Sequence, residues 1–172
     1  MNNTIFISLA SYCDDMLEFT LKSAFNSAKN KENIFFGVVD QNHVNSRDTI
    51  KSLEFSNQIR YCHIFPDDSL GVSWARHLCF SLYNNEKYFL QVDSHTYFEE
   101  NWDENLIIQY KNLLGKSSKP IISTYPYGFS IEENNEITFK KPSGKTVLLL
   151  RPKKELKIDK ENLVLQFRAK HI

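Results

Sequence analysis

The chain has 172 residues, of which 41% are hydrophobic and 13% aromatic, including 13 phenylalanines and 8 tyrosines. That is enough apolar material for the core of one ordinary-sized domain and too much for a disordered chain. Lys+Arg and Asp+Glu each number 21, so the formal net charge is zero and no nucleic-acid-binding stripe or acidic tail stands out.

The first apolar segment starts without a basic leader, and no apolar run reaches 18 residues, so neither a signal peptide nor a membrane span is expected. Cys13, Cys62 and Cys79 are odd in number and widely spaced, which suits a reducing compartment better than a disulfide framework. A cytoplasmic location is the expectation.

Residues 4–10 (TIFISLA) predict a short buried strand. Polar capping candidates at 11–15 follow, then Leu17, Leu21, Ala24, Phe25 and Ala28 at helical spacing. Residues 33–40 (NIFFGVVD) read as a second strand ending in Asp40. A polar loop over 41–47 and a short helix over 49–55 come next, and then a third strand over 59–64.

Gly71 opens a helical pattern that runs to Tyr83. Residues 88–92 form an apolar run suited to a buried strand, which delivers Asp93 and His95. A helix over 102–114 and a strand over 120–124 follow. Beyond residue 129 the chain turns β-rich, with a turn at 141–145 and strands at 146–150 and 163–168. Basic residues cluster at 140–145 and 151–157, where they could meet a phosphate or an anionic surface, a solvated face being the better reading.

Strand and helix thus alternate through the first 125 or so residues, the signature of a mostly parallel, Rossmann-like sheet flanked by helices. Residues 1–128 read as the α/β region and 129–172 as a β-rich extension of the same domain. The extension ends without an obvious closing element and is expected to be incomplete relative to a full enzyme.

Ligands in such sheets collect at the carboxyl ends of the strands, where Ser8, Ser11, Asp40, Asp93 and His95 all fall. In extended backbone Asp93 and His95 point one way and Ser94 the other. A carboxylate and an imidazole suit manganese or a similar divalent ion, with water and diphosphate oxygens completing its coordination. The competing reading makes Asp93 a helix cap and His95 a surface residue.

Arg76 lies one turn into the helix after Gly71, placed to hold phosphate oxygens bidentately or to pair with Asp67 or Asp68. Asp40 occupies the position that reads a base or ribose in nucleotide-binding sheets, but no glycine-rich loop follows the first strand, which argues against a nicotinamide or flavin site. Ser8, Ala10, Ser11 and Tyr12 offer small hydroxyls and one ring for stacking, Ser11 being equally suited to cap a helix. Trp102 either walls a sugar pocket or anchors its helix, and the anchor is the better reading. His43, His63 and His77 lack ligand spacing and read as structural or exposed.

Three blocks in order, IFISLASYCDD at 5–15, GVSWARHLCFSLY at 71–83 and YFLQVDSHTYFEENWDENLI at 88–107, resemble the N-acetylglucosaminyltransferases typified by the Skp1-protein hydroxyproline enzyme. The resemblance covers about residues 4–125, and QVDSH followed by WD is its most specific part. It implies a nucleotide-diphospho-sugar transferase of type A (GT-A). The donor would be UDP-N-acetylglucosamine, the cofactor Mn²⁺ (or Mg²⁺), and transfer to a hydroxyl acceptor on polysaccharide or protein would retain the anomeric configuration.

By the same resemblance Asp93 and His95 match the metal-binding acid-x-histidine motif. The resemblance puts Ser8, Ala10, Ser11, Tyr12, Arg76 and Trp102 on the donor side, and Asp40, by its strand-end position, with Gln91 and Ser94 of the QVDSH motif are the further donor-site candidates. The alternative is a nucleotide-sugar-binding module, or a truncated transferase without turnover.

Overall fold

The computed structural model describes residues 3–133 and 136–140, together with the backbone of four later strands. It divides into two compact units, Met1–Asn112 and Leu113–Ile172.

The first unit is an α/β sandwich. Its strands are β1 (Ile5–Tyr12), β2 (Ile34–Gln41), β3 (Ile59–Ile64) and β4 (Tyr88–Asp93). They form one four-stranded sheet in the order β3-β2-β1-β4, and all three pairings are parallel. The helices are α1 (Leu17–Asn26), α2 (Arg47–Ser52), α3 (Val72–Ser81) and α4 (Trp102–Leu114), the last ending just inside the second unit.

Side chains alternate across a strand, so each strand feeds two cores. Ile5, Ile7 and Leu9 of β1 and Ile34, Phe36 and Val38 of β2 join Leu21 of α1, Ile50 of α2 and Trp102 of α4 on one face. Val39 packs with Ala75 and Cys79 of α3 on the other. The expected parallel sheet with helices on both faces is therefore present.

β2 is the most buried strand, and Gly37 at its centre is there for space. A Cβ at this position would overlap the Phe6 ring and come 3.3 Å from the Cys79 carbonyl oxygen. Phe6 is fully buried and packed against Tyr83 and Phe89, with little room to retreat. Gly37→Ala is expected to cost about 2 kcal/mol through overpacking. An unchanged denaturation midpoint would show that the ring moves aside freely.

Two local expectations differ from what is observed. Residues 120–124 form no strand, and Ile121 is 90% exposed: among the described residues no strand lies alongside for this β-branched stretch to pair with. β4 is an edge strand rather than a fully buried one, alternating half-buried with exposed residues so that Phe89, Gln91 and Asp93 face outward.

In the second unit β5 (Phe129–Ile131) pairs antiparallel with β6 (Ile137–Phe139). β7 (Leu148–Pro152) pairs with β10 (Phe167–His171), and β8 (Lys157–Asp159) with β9 (Asn162–Val164). The strand expected over 163–168 overlaps both β9 and β10. The turn expected at 141–145 lies outside the described residues, as do the side chains of the basic clusters beyond Lys140. Among the described residues no helix is long and apolar enough to cross a membrane.

Candidate active site

The parallel register sorts the strand-end residues by face. Ser11 lies opposite Asp40 in β2, and Ala10 opposite Asp93 in β4. Ser8, Ala10, Tyr12, Gln91 and Asp93 share the α3 face through the period-2 alternation, whereas Ser11 and Asp40 lie on the α1 face.

A cleft of about 370 Å³ opens on the α3 face, lined by Ala10, Tyr12, Gln41, Pro66, Ser69, Gly71 and Val72. Its size falls at the lower end of the range for small-molecule sites. Gly71, on the cleft wall, enters α3 with φ +94°, a left-handed conformation that side chains rarely tolerate.

Gln41 holds the floor. Its amide nitrogen donates to the Ser11 carbonyl at 2.9 Å, and its amide oxygen accepts from Ser69 Oγ at 2.7 Å. The Tyr12 ring and Val72 stand exposed at the rim.

Beyond Ala10, on β4, the Asp93 carboxylate accepts a bond from Arg76 Nη2 at 3.2 Å. Arg76 thus pairs with Asp93 and not with Asp67 or Asp68. The contact uses one carboxylate oxygen, and Asp93 remains 63% exposed.

β4 stops at Asp93, and the chain bends through Ser94 and His95. Ser94 turns inward while His95 stays 63% exposed. The bend is clamped to α1. Thr20 Oγ1 donates to the Ser94 carbonyl at 2.6 Å and accepts from the Thr96 amide at 2.9 Å, and the Phe98 amide donates to Ser23 Oγ at 2.9 Å.

Asp14, in the loop after β1, receives Ser94 Oγ at 2.6 Å and lies 2.7 Å from His95 Nδ1, both through Oδ2. Its Oδ1 accepts the Met16 amide at 2.9 Å. Burial opposes its ionisation, but the bonds from Ser94, His95 and Met16 outweigh that and hold its carboxyl below the ordinary value.

Among the described residues, Asp93 and His95 each keep one ligating atom without a protein partner: the second carboxylate oxygen of Asp93 and Nε2 of His95. A carboxylate oxygen and an imidazole nitrogen are ligand types that suit Mn²⁺ or a similar divalent ion, with water or phosphate oxygens filling its other positions. Among the described residues no group of three or more Asp, Glu, His or Cys side chains is assembled for a metal.

The remaining sequence candidates lie deeper. Asp40 is fully buried, with its Oδ2 accepting Ser46 Oγ at 2.9 Å and the Tyr61 hydroxyl at 2.8 Å. Burial and donation to Asp40 push the Tyr61 hydroxyl up to about 12. Among the described residues, Asp40 Oδ1, Ser11 Oγ and Ser8 Oγ are buried with no hydrogen-bond partner.

Trp102 is buried among the helices, its indole N–H donating to the Ala24 carbonyl at 2.8 Å. The anchor reading of Trp102 therefore describes its surroundings.

Sequence reasoning overlooked Gln41 and Ser69, and treated Asp14 only as a capping candidate. For Gln41 a signal was available, since the residue after Asp40 must face away from it. Nothing local to Asp14 indicates that its partner lies 81 residues on.

A cleft at the carboxyl ends of the strands, with the Arg76–Asp93 pair on the neighbouring strand end, lies where ligands bind in open α/β sheets. Comparison with known families makes this specific: residues 4–56 and 45–152 match the family described as Glycosyltransferase (GlcNAc). The chain belongs to this glycosyltransferase family, and a nucleotide-sugar donor and an acceptor follow from that membership. No match to a curated protein was found.

Proposed function

We propose that the protein is a GT-A-type transferase of the kind typified by the Skp1-protein hydroxyproline enzyme. It moves N-acetylglucosamine from UDP-N-acetylglucosamine to a hydroxyl on polysaccharide or protein, with retention. The observation that carries this reading is the cleft beside Ala10, with Asp93 and Arg76 next to it at the carboxyl edge of the sheet.

In this reading the Tyr12 ring and Val72 flank the nucleotide, and Gln41 offers its amide from the floor. Arg76 exchanges Asp93 for diphosphate oxygens. The exchange costs little, because an exposed ion pair contributes only about 0–1 kcal/mol. Asp93 and His95 would hold Mn²⁺ or Mg²⁺, which supplies charge neutralisation for the departing diphosphate.

Calorimetric titration with UDP-N-acetylglucosamine, with and without Mn²⁺, tests the reading. Binding about 10-fold or more tighter with the metal is expected, given the weight of direct metal–phosphate contacts. Equal affinity in both conditions would overturn the metal assignment, and no binding in either would overturn the donor.

A further inference from the structure

We propose that Asp14 positions His95: it accepts the Nδ1 hydrogen of the imidazole and so leaves the Nε2 lone pair facing solvent, available to a cation shared with Asp93. The inference rests on the metal reading above and adds a residue to it.

A neutral imidazole carries one N–H, and an ionised carboxylate can only accept. With Asp14 Oδ2 2.7 Å from Nδ1, the hydrogen belongs on that nitrogen and Nε2 is bare.

The local turn ahead of α1 accounts for Oδ1, through the Met16 amide two residues on, but not for Oδ2, which takes Ser94 and His95 together. Ser94 braces the carboxylate from inside while Thr20 fixes the bend on both sides of Ser94. Asp14 is 17% exposed and His95 63%, so the half-buried partner holds the exposed one. A carboxylate behind a metal-binding histidine fixes its tautomer and orientation, and loss of such a partner typically weakens metal binding about 10- to 100-fold.

The first measurement is the long-range ¹H–¹⁵N correlation spectrum of the metal-free protein with labelled histidine, at about pH 8.5, where an ordinary imidazole is neutral. The wild type is expected to show His95 protonated at Nδ1, and Ser94→Ala to keep that state. Asp14→Asn is expected to shift the population toward Nε2–H and to weaken Mn²⁺ binding in the presence of UDP about 10- to 100-fold.

A wild-type His95 protonated at Nε2 overturns the proposal without any variant. So does a tautomer or Mn²⁺ affinity that Asp14→Asn leaves unchanged. If the tautomer depends on Asp14 but His95→Ala leaves Mn²⁺ affinity intact, the metal reading has failed and the proposed role of the contact fails with it.

Discussion

Asp93→Asn is expected to remove the Mn²⁺-dependent part of UDP-N-acetylglucosamine binding while leaving the fold intact. The asparagine keeps the size and one acceptor oxygen of the carboxylate but loses the charge a hard divalent cation requires. Partners one shell removed from a metal already account for about 10- to 100-fold in affinity, so a direct ligand should account for about 100-fold or more.

Stability should scarcely change. The side chain is 63% exposed, and its pair with Arg76 is of the surface kind, contributing at most about 1 kcal/mol. Calorimetry with and without Mn²⁺, alongside a thermal melt, separates the two effects. Undiminished metal-dependent binding would place the cation elsewhere; a collapsed melting temperature would mean that Asp93 holds the β4–α3 edge together.

Asp103→Ala should do the opposite, weakening the fold before any ligand is considered. Asp103 is buried at the start of α4 and collects three donors: the Lys29 amide at 2.8 Å, the Asn30 amide at 3.0 Å and the Asn30 side-chain amide at 2.9 Å. It thus ties the α4 N-terminus, where a negative charge is also favoured, to the connection between α1 and β2. Alanine leaves those donors without their acceptor, at an expected cost of about 3 kcal/mol or more.

The effect should depend on pH with a definite sign. Burial opposes ionisation of Asp103, but the Lys29 and Asn30 bonds prevail, so its folded carboxyl titrates below the ordinary 3.8. A group depressed in this way contributes stability above its unfolded value and loses it as pH falls through the folded one. Urea denaturation should therefore show the gap between wild type and Asp103→Ala largest at neutral pH and narrowing below about pH 4. A gap that widens on acidification would contradict the assignment.

Much of this molecule was legible locally. The apolar runs ending at Ala10, Asp40, Ile64 and Val92 lie within four parallel strands, and the helical spacing after Gly71 and from Trp102 predicts α3 and α4. These succeed because period and punctuation are properties of neighbouring residues. The same logic fails at 120–124, where β-branched residues have the propensity of a strand but no partner among the described residues, and at β4, whose apolar run occupies a half-exposed edge.

The sequence by itself determined that strands end in ligand-type residues, and the three motif blocks pointed to an N-acetylglucosaminyltransferase, of which the comparison showed the GlcNAc glycosyltransferase family. Only the tertiary structure decided which of those residues share a space. Register puts Asp40 and Ser11 on the covered α1 face and Gln41, Tyr12 and Asp93 on the α3 face beside the cleft. The order β3-β2-β1-β4 seats β4 beside β1, bringing the loops after these two strands together so that Asp14 meets His95 across 81 positions of chain. Alternation says that two strand residues face opposite ways; which way is inward depends on the helices and strands that cover each face, and those are supplied from far along the chain.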